Sequence, residues 1–324
     1  MTPLERAIRD RIRAEGPISV EAYMEACNGY YYATRDPFGA AGDFTTAPEI
    51  SQMFGEIVGA ALADCWKRSG APADAIYAEL GPGRGTLAGD ALRVLRPARF
   101  AGDVHFVETS PVLRDAQALT IADAQWHDAI DDLPEAPLLL VANEFLDALP
   151  IRQWIDGAER RVTVAAGGLA FDRDGEILET SPARDAAVAA IAARLVRNGG
   201  VALMFDYGHP SAPGDTLQAV RGHGFAPVLA NPGEQDLTAH VDFEAVARVA
   251  ADAGASVTPV LPQGDWLKRL GINARAAALS SGNPARSEDV RAALHRLTAT
   301  SEMGELFKVI AIHSPQWPAP AGFS

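Results

Sequence analysis

An acid and three glycines stand close together in Ala78-Glu79-Leu80-Gly81-Pro82-Gly83-Arg84-Gly85-Thr86-Leu87, between an apolar run and a helical pattern. Glycines let a backbone turn tightly and approach a ligand, and the start of the next helix offers unpaired N–H groups. The dinucleotide fingerprint is G-x-G-x-x-G. Here the third glycine comes one residue early, a departure from that fingerprint. The expected ligand contacts in this loop are Glu79, Gly81, Gly83, Gly85 and Thr86. Other groups fall where a nucleoside pocket needs them. Glu108 closes the run Val104–Val107, where a carboxylate can accept both ribose hydroxyls, and Thr109 stands beside it. The competing reading makes Glu108 an acid at the start of the next helix. Trp126-His127-Asp128-Ala129 lies where an adenine edge would be read, with a surface turn as the alternative; Asp128 and Ala129 are the expected contacts. Gly199-Gly200 leads into a further apolar run, Val201–Phe205.

The reacting end is expected at the carboxyl edge of the fourth strand, because ligands of open α/β sheets bind beyond the strand ends. There the chain reads Val141-Ala142-Asn143-Glu144-Phe145-Leu146-Asp147-Ala148-Leu149-Pro150. Acids at that edge suit a cationic acceptor such as arginine, whose planar fork of five donors carboxylates can orient. Glu144 is expected to grip the acceptor with Asp147 assisting, and Asn143 to face the cofactor. The alternative is that both acids cap a following helix. Asp206-Tyr207-Gly208-His209 ends the fifth strand, where Asp206 and His209 are further candidates for contacting the acceptor or managing a proton. Gly42-Asp43-Phe44-Thr45-Thr46 is expected to form a lid through Asp43, Phe44 and Thr45. His209, His223 and His240 match no usual ligand spacing, so no metal is expected.

These groups need a scaffold. Short apolar runs at Ile76–Leu80, Val104–Val107, Leu138–Val141 and Val201–Phe205 alternate with helical stretches, the pattern of a doubly wound α/β fold with a parallel sheet. Helices are expected at 3–15 and 19–27. A longer one is expected over Ala47–Arg68, with Thr46 and Glu49 forming a capping box. The expected division is a helical N-terminal extension and lid at 1–70, a core of 71–215 plus 300–314 with a β insertion at 151–180, and a mostly helical substrate-side subdomain at 216–299. The stretch Asp215–Asp242 has little periodicity and is expected to be a functional loop region.

The chain has 324 residues, 48% hydrophobic and 22% charged, and can bury a large core. Its formal charge of −14 makes nucleic acid an unsuitable partner and a cationic one suitable. Cys27 and Cys65 support neither a disulfide framework nor a zinc site. No apolar run is long enough to insert in a membrane. The mixed charges at Met1–Asp10 argue against a presequence, so a cytoplasmic location is expected.

An acid-x-G-x-G-x-G loop at the first strand is characteristic of class I methyltransferases that use S-adenosylmethionine, a Rossmann-like fold. The chain resembles the MidA-like methyltransferases over nearly its full length. The resemblance rests on Arg35–Gly39, Gly42–Glu56, Glu79–Leu87, Asn143–Pro150, Asp206–His209, Asp236–Phe243 and Leu267–Ile272. The family includes a mitochondrial assembly factor that methylates an arginine on a core subunit of respiratory complex I. The resemblance thus implies an S-adenosyl-L-methionine cofactor, protein-arginine methylation of the symmetric dimethyl type, and a complex I subunit as partner. One departure is that the mitochondrial members carry His where Asn143 stands. Two other readings stay open: methylation of a small molecule or another protein residue, and a cofactor-binding assembly chaperone without turnover. A nicotinamide oxidoreductase is disfavoured by the early third glycine.

Overall fold

The computed structural model describes residues 1–34, 45–209 and 214–323. Its centre is a twisted sheet of six main strands: β1 (Ile76–Leu80), β2 (Val104–Val107), β3 (Gln125–His127), β4 (Leu138–Asn143), β5 (Gly200–His209) and β6 (Phe307–His313). They lie in the order β3-β2-β1-β4-β5-β6, with the short strand Ser256–Val257 beyond β6. The first five are parallel, and β6 runs antiparallel to β5. The order reverses between β1 and β4, which opens a crevice at their carboxyl ends.

β1 and β4 are buried along their whole length because both faces of the sheet are covered, and this is why they read as mostly apolar runs, broken by Glu79 in β1 and ended by Asn143 in β4. Alternate side chains go to opposite faces. Tyr77, Leu139, Val141, Leu203 and Phe205 pack with Phe54, Val58, Leu87 and Trp266 on one side. Ala78, Leu80, Leu140, Ala202 and Met204 pack with Val188, Ile191, Leu195 and Val246 on the other.

In chain order the helices that position the site are α1 (Pro3–Glu15), α2 (Val20–Thr34), α3 (Ala47–Ile50), α4 (Gln52–Arg68), α5 (Thr86–Leu95), α6 (Pro111–Thr120), α7 (Pro182–Asn198) and α8 (Phe243–Asp252). Their starts are chemically marked. Thr2, Ser110, Ser181 and Asp242 cap α1, α6, α7 and α8 through their side chains, and proline opens the first three. α1 and α2 share a smaller core with the β insertion, where Ile18 pairs antiparallel with Val162 and Ile8, Tyr23, Met24 and Val162 pack together.

Three local expectations are corrected. The single helix over 47–68 is two, because Ser51 is extended and caps α4 through the Met53 N–H. The capping box does not form: Thr46 makes no side-chain cap, and Glu49 instead accepts the Thr86 hydroxyl at 2.6 Å, tying α3 to the start of α5. The stretch 215–242 is loop-rich as expected but is not one continuous loop. It holds the antiparallel strands Gln218–Arg221, Gly224–Ala226 and Asp236–Thr238, and helix returns only from Phe243.

Candidate active site

A cavity of about 880 Å³ opens at the carboxyl ends of β1, β2, β4 and β5. Its glycine-loop end is built as the residue types require. Gly81, Gly83 and Gly85 all have positive φ (59°, 55° and 77°), a conformation L side chains adopt at a cost. A Cβ on Gly81 would come within 3.3 Å of the Phe145 ring. Gly81 and Gly83 line the cavity together with Glu79 and Thr86, while Gly85 sits just outside it as the residue before α5. Glu79 is buried, accepts the Tyr77 hydroxyl at 2.8 Å and has its pKa pushed up to about 8 by burial.

Glu108 and Thr109 line the adjoining wall. One Glu108 oxygen accepts the Ser110 N–H at 2.8 Å, and burial again pushes the carboxyl upward. Asp128 and Ala129 are also at the wall, but the Asp128 carboxylate is mostly exposed and pairs with Arg114 at 2.6 Å. Asn143 lines the cavity and its buried Oδ1 has no hydrogen-bond partner. Thr46 rather than Thr45 is the lining residue of the expected lid. Asp43 and Phe44 lie outside the described residues.

At the far end Glu144 and Asp147 share the wall with Tyr32, Tyr207 and Asp236. No helix follows Glu144: the chain turns into the strand Arg152–Ile155, so these acids are not helix caps. Glu144 has a positive φ of 51° and accepts from Asn143 Nδ2 at 3.2 Å. Its pKa is pushed up to about 8, first by burial and then by the neighbouring charge of Asp147. Asp147 is 4% exposed, and its Oδ1 has no partner. Burial pushes its carboxyl upward, opposed by the Tyr207 hydroxyl and the Arg184 charge.

Two expected acceptor contacts are placed elsewhere. Asp206 is buried behind the loop, where Oδ2 accepts the N–H groups of Leu146 (2.9 Å) and Asp147 (3.1 Å), so it holds that loop in place. His209 is exposed, stacked on His240 with Nε2 2.9 Å from His240 Nδ1; His240, not His209, lines the cavity. No group of His, Cys, Asp or Glu among the described residues is arranged to hold a metal.

The residues missing from the sequence reading are those that act at a distance. Gln117 donates to the Gly83 carbonyl (2.8 Å) and to Glu108 (3.2 Å). Asn28 and Arg184 brace the acidic end. Only Asp236 lay in a stretch already marked by its polar groups.

Comparison with known proteins decides the family and its cofactor. Residues 57–168 and 158–260 match the family described as S-adenosyl-L-methionine-dependent methyltransferase. The chain belongs to that family. Among this methyltransferase's relatives is the "Protein arginine methyltransferase NDUFAF7 homolog, mitochondrial" of Drosophila melanogaster, 35% identical over 99% of this chain and 88% of that protein. The "Protein arginine methyltransferase NDUFAF7, mitochondrial" of Homo sapiens is 31% identical over 96% and 83%. A superfamily member from Burkholderia thailandensis, solved with S-adenosyl-homocysteine bound, is 28% identical with a TM-score of 0.86 over 99% of this chain and 94% of that one.

The methyltransferase uses S-adenosylmethionine, and its residues fit the group: a positive-φ glycine loop, a carboxylate at Glu108 and an unpaired buried acceptor at Asn143. The doubly wound, Rossmann-like fold stands as expected. The cytoplasmic expectation does not: the curated relatives are mitochondrial by name, and the charge of the first residues carried too little information to place the protein.

Proposed function

We propose that this methyltransferase modifies an arginine side chain of a protein, with Glu144 and Asp147 holding the guanidinium. The observation that carries this reading is the unpartnered Oδ1 of Asp147, a buried carboxylate oxygen of a residue that lines the cavity beside Glu144. A buried acceptor without a donor is costly, and an arginine fork supplies donors and charge together. The relatives' names point the same way.

The bound cofactor supplies the electrophilic methyl group. The protein's part is to orient the acceptor nitrogen and exclude water. Asp147 fixes the guanidinium through its free oxygen. Glu144 is charged once a cation lies beside it, and its high intrinsic pKa suits it to take the proton that the methylated nitrogen loses.

The finer reading assigns the acceptor to a core subunit of respiratory complex I and follows from the family resemblance. The test is methyl-labelled cofactor with the purified protein and complex I subunits, followed by mass spectrometry of the labelled peptides. Label on arginine is expected. Label confined to lysine, a carboxylate or a small molecule would sink the arginine reading, and label on an arginine of some other protein would sink only the complex I assignment.

A further inference from the structure

Glu144 and Asp147 come from the loop after β4, but a third carboxylate shares their end of the cavity. Asp236 arrives from the strand Asp236–Thr238, is 5% exposed and lines the same wall. One of its oxygens accepts the hydroxyl of Tyr32, a cavity residue near the end of α2, at 2.8 Å. The Asp236 charge acts on both Glu144 and Tyr207, which puts it within electrostatic reach of the acceptor end.

The two acid-bearing segments are locked into one unit from both sides. Asn28 donates to the carbonyls of Ala148 (3.0 Å) and Leu237 (2.8 Å) and accepts the Leu237 N–H (3.2 Å). Opposite it the buried Arg184 guanidinium donates to the carbonyls of Leu146 (2.6 Å), Ala239 (2.7 Å) and His240 (2.7 Å). The Ala239 N–H adds a direct bond to the Asp147 carbonyl at 3.1 Å. Burying a cation costs desolvation, and here it is spent on backbone carbonyls of the two segments that carry the acids. The position of Asp236 relative to Glu144 and Asp147 is therefore fixed before any acceptor arrives.

We propose that Asp236, oriented by Tyr32, is the third wall of the acceptor subsite and makes it selective for a planar, delocalised cation over a compact ammonium or a neutral group. This rests on the arginine reading above. A guanidinium spreads five donors around a plane and can meet carboxylates on separate segments at once, whereas an ammonium is a strongly hydrated point charge with three. Asp147 offers its free oxygen from one segment and Asp236 its charge from the other.

The test uses the full chain saturated with S-adenosyl-homocysteine, titrated by NMR with methylguanidinium, methylammonium and the neutral isostere methylurea. Wild-type protein is expected to bind methylguanidinium ahead of methylammonium and to ignore methylurea. Asp236→Asn is expected to weaken methylguanidinium by about tenfold or more and to narrow its lead over methylurea. Affinity for S-adenosyl-homocysteine should stay unchanged, which a general loss of structure would not allow. Tyr32→Phe keeps the charge and removes the orienting hydroxyl, and should give a smaller loss in the same direction. Wild-type selectivity in a folded Asp236→Asn protein overturns the role of Asp236 and leaves the arginine reading standing. Failure of the wild type to bind methylguanidinium overturns both. If Asp236→Asn does not fold, Tyr32→Phe decides, and an unaltered methylguanidinium affinity there overturns the proposal.

Discussion

Gln117 reaches Glu108 Oε2 with its side-chain nitrogen at 3.2 Å, and the same nitrogen lies 2.8 Å from the Gly83 carbonyl. The Trp126 indole N–H fixes the amide by donating to Gln117 Oε1 at 2.8 Å. One fully buried side chain from α6 therefore ties the glycine loop to the Glu108 carboxylate. Gln117→Ala would leave two buried acceptors without their donor, a loss of about 1–3 kcal/mol. S-adenosylmethionine affinity should fall by about tenfold, read by calorimetric titration, with little change in turnover at saturating cofactor. Unchanged affinity would mean that the loop and Glu108 hold their places without it.

Gly83→Val tests the loop itself. At φ 55° a β-branched side chain is strained, and its bulk would project where the backbone must approach the cofactor. Binding of S-adenosylmethionine should become undetectable in a protein that still unfolds cooperatively. Titration with NAD should show no binding to either protein, and NAD binding to the wild type would contradict the reading of the early third glycine.

The sheet and the glycine-loop end of the cavity were legible because their signals are local. Each of β1, β2, β4 and β5 is a largely apolar run that leads into cavity-lining residues, as Leu80 into Gly81 or Val107 into Glu108. The acidic end of the cavity was only half legible. Glu144 and Asp147 stand next to β4, but Asn28, Arg184 and Asp236 reach them from other parts of the chain, and no periodicity marks a residue whose partners are backbone carbonyls far away. Thr46 and Glu49 misled for a related reason. Their spacing suits a capping box, yet Glu49 finds a better donor in Thr86 and Ser51 starts the next helix. Asp206 and His209 were placed correctly at the end of β5, but alternation along a strand cannot say that one supports the loop from behind while the other faces solvent.

Glu144→Gln should separate binding from transfer. The amide keeps the shape and the contact with Asn143 but loses the charge, so cofactor affinity should stay near normal while methyl transfer to arginine falls by about a hundredfold. Because the carboxyl titrates near pH 8, the cation-holding form gains population as pH rises toward that value. The wild-type kcat/KM should therefore climb between about pH 6 and 8, and the Glu144→Gln profile should lose that limb. A variant that transfers at the wild-type rate would remove Glu144 from the mechanism.

Glu79 gives a second pH effect, on stability and of opposite sense. Burial lifts its pKa from an ordinary 4.5 to about 8, and the Tyr77 hydroxyl offsets only part of this. The folded protein then holds a proton that the unfolded chain releases. Glu79's contribution to stability is fully present below about pH 4.5 and is lost as pH rises through 8. Glu144 acts in the same direction. Without cofactor, Tm should fall from pH 6 to about 8 and then level off, and Glu79→Gln, which is neutral in both states, should flatten that slope without abolishing it. Calorimetric scans across this range decide the matter: an identical slope in Glu79→Gln would show that Glu79 is already ionised at pH 6 and that its partners outweigh the cost of burial.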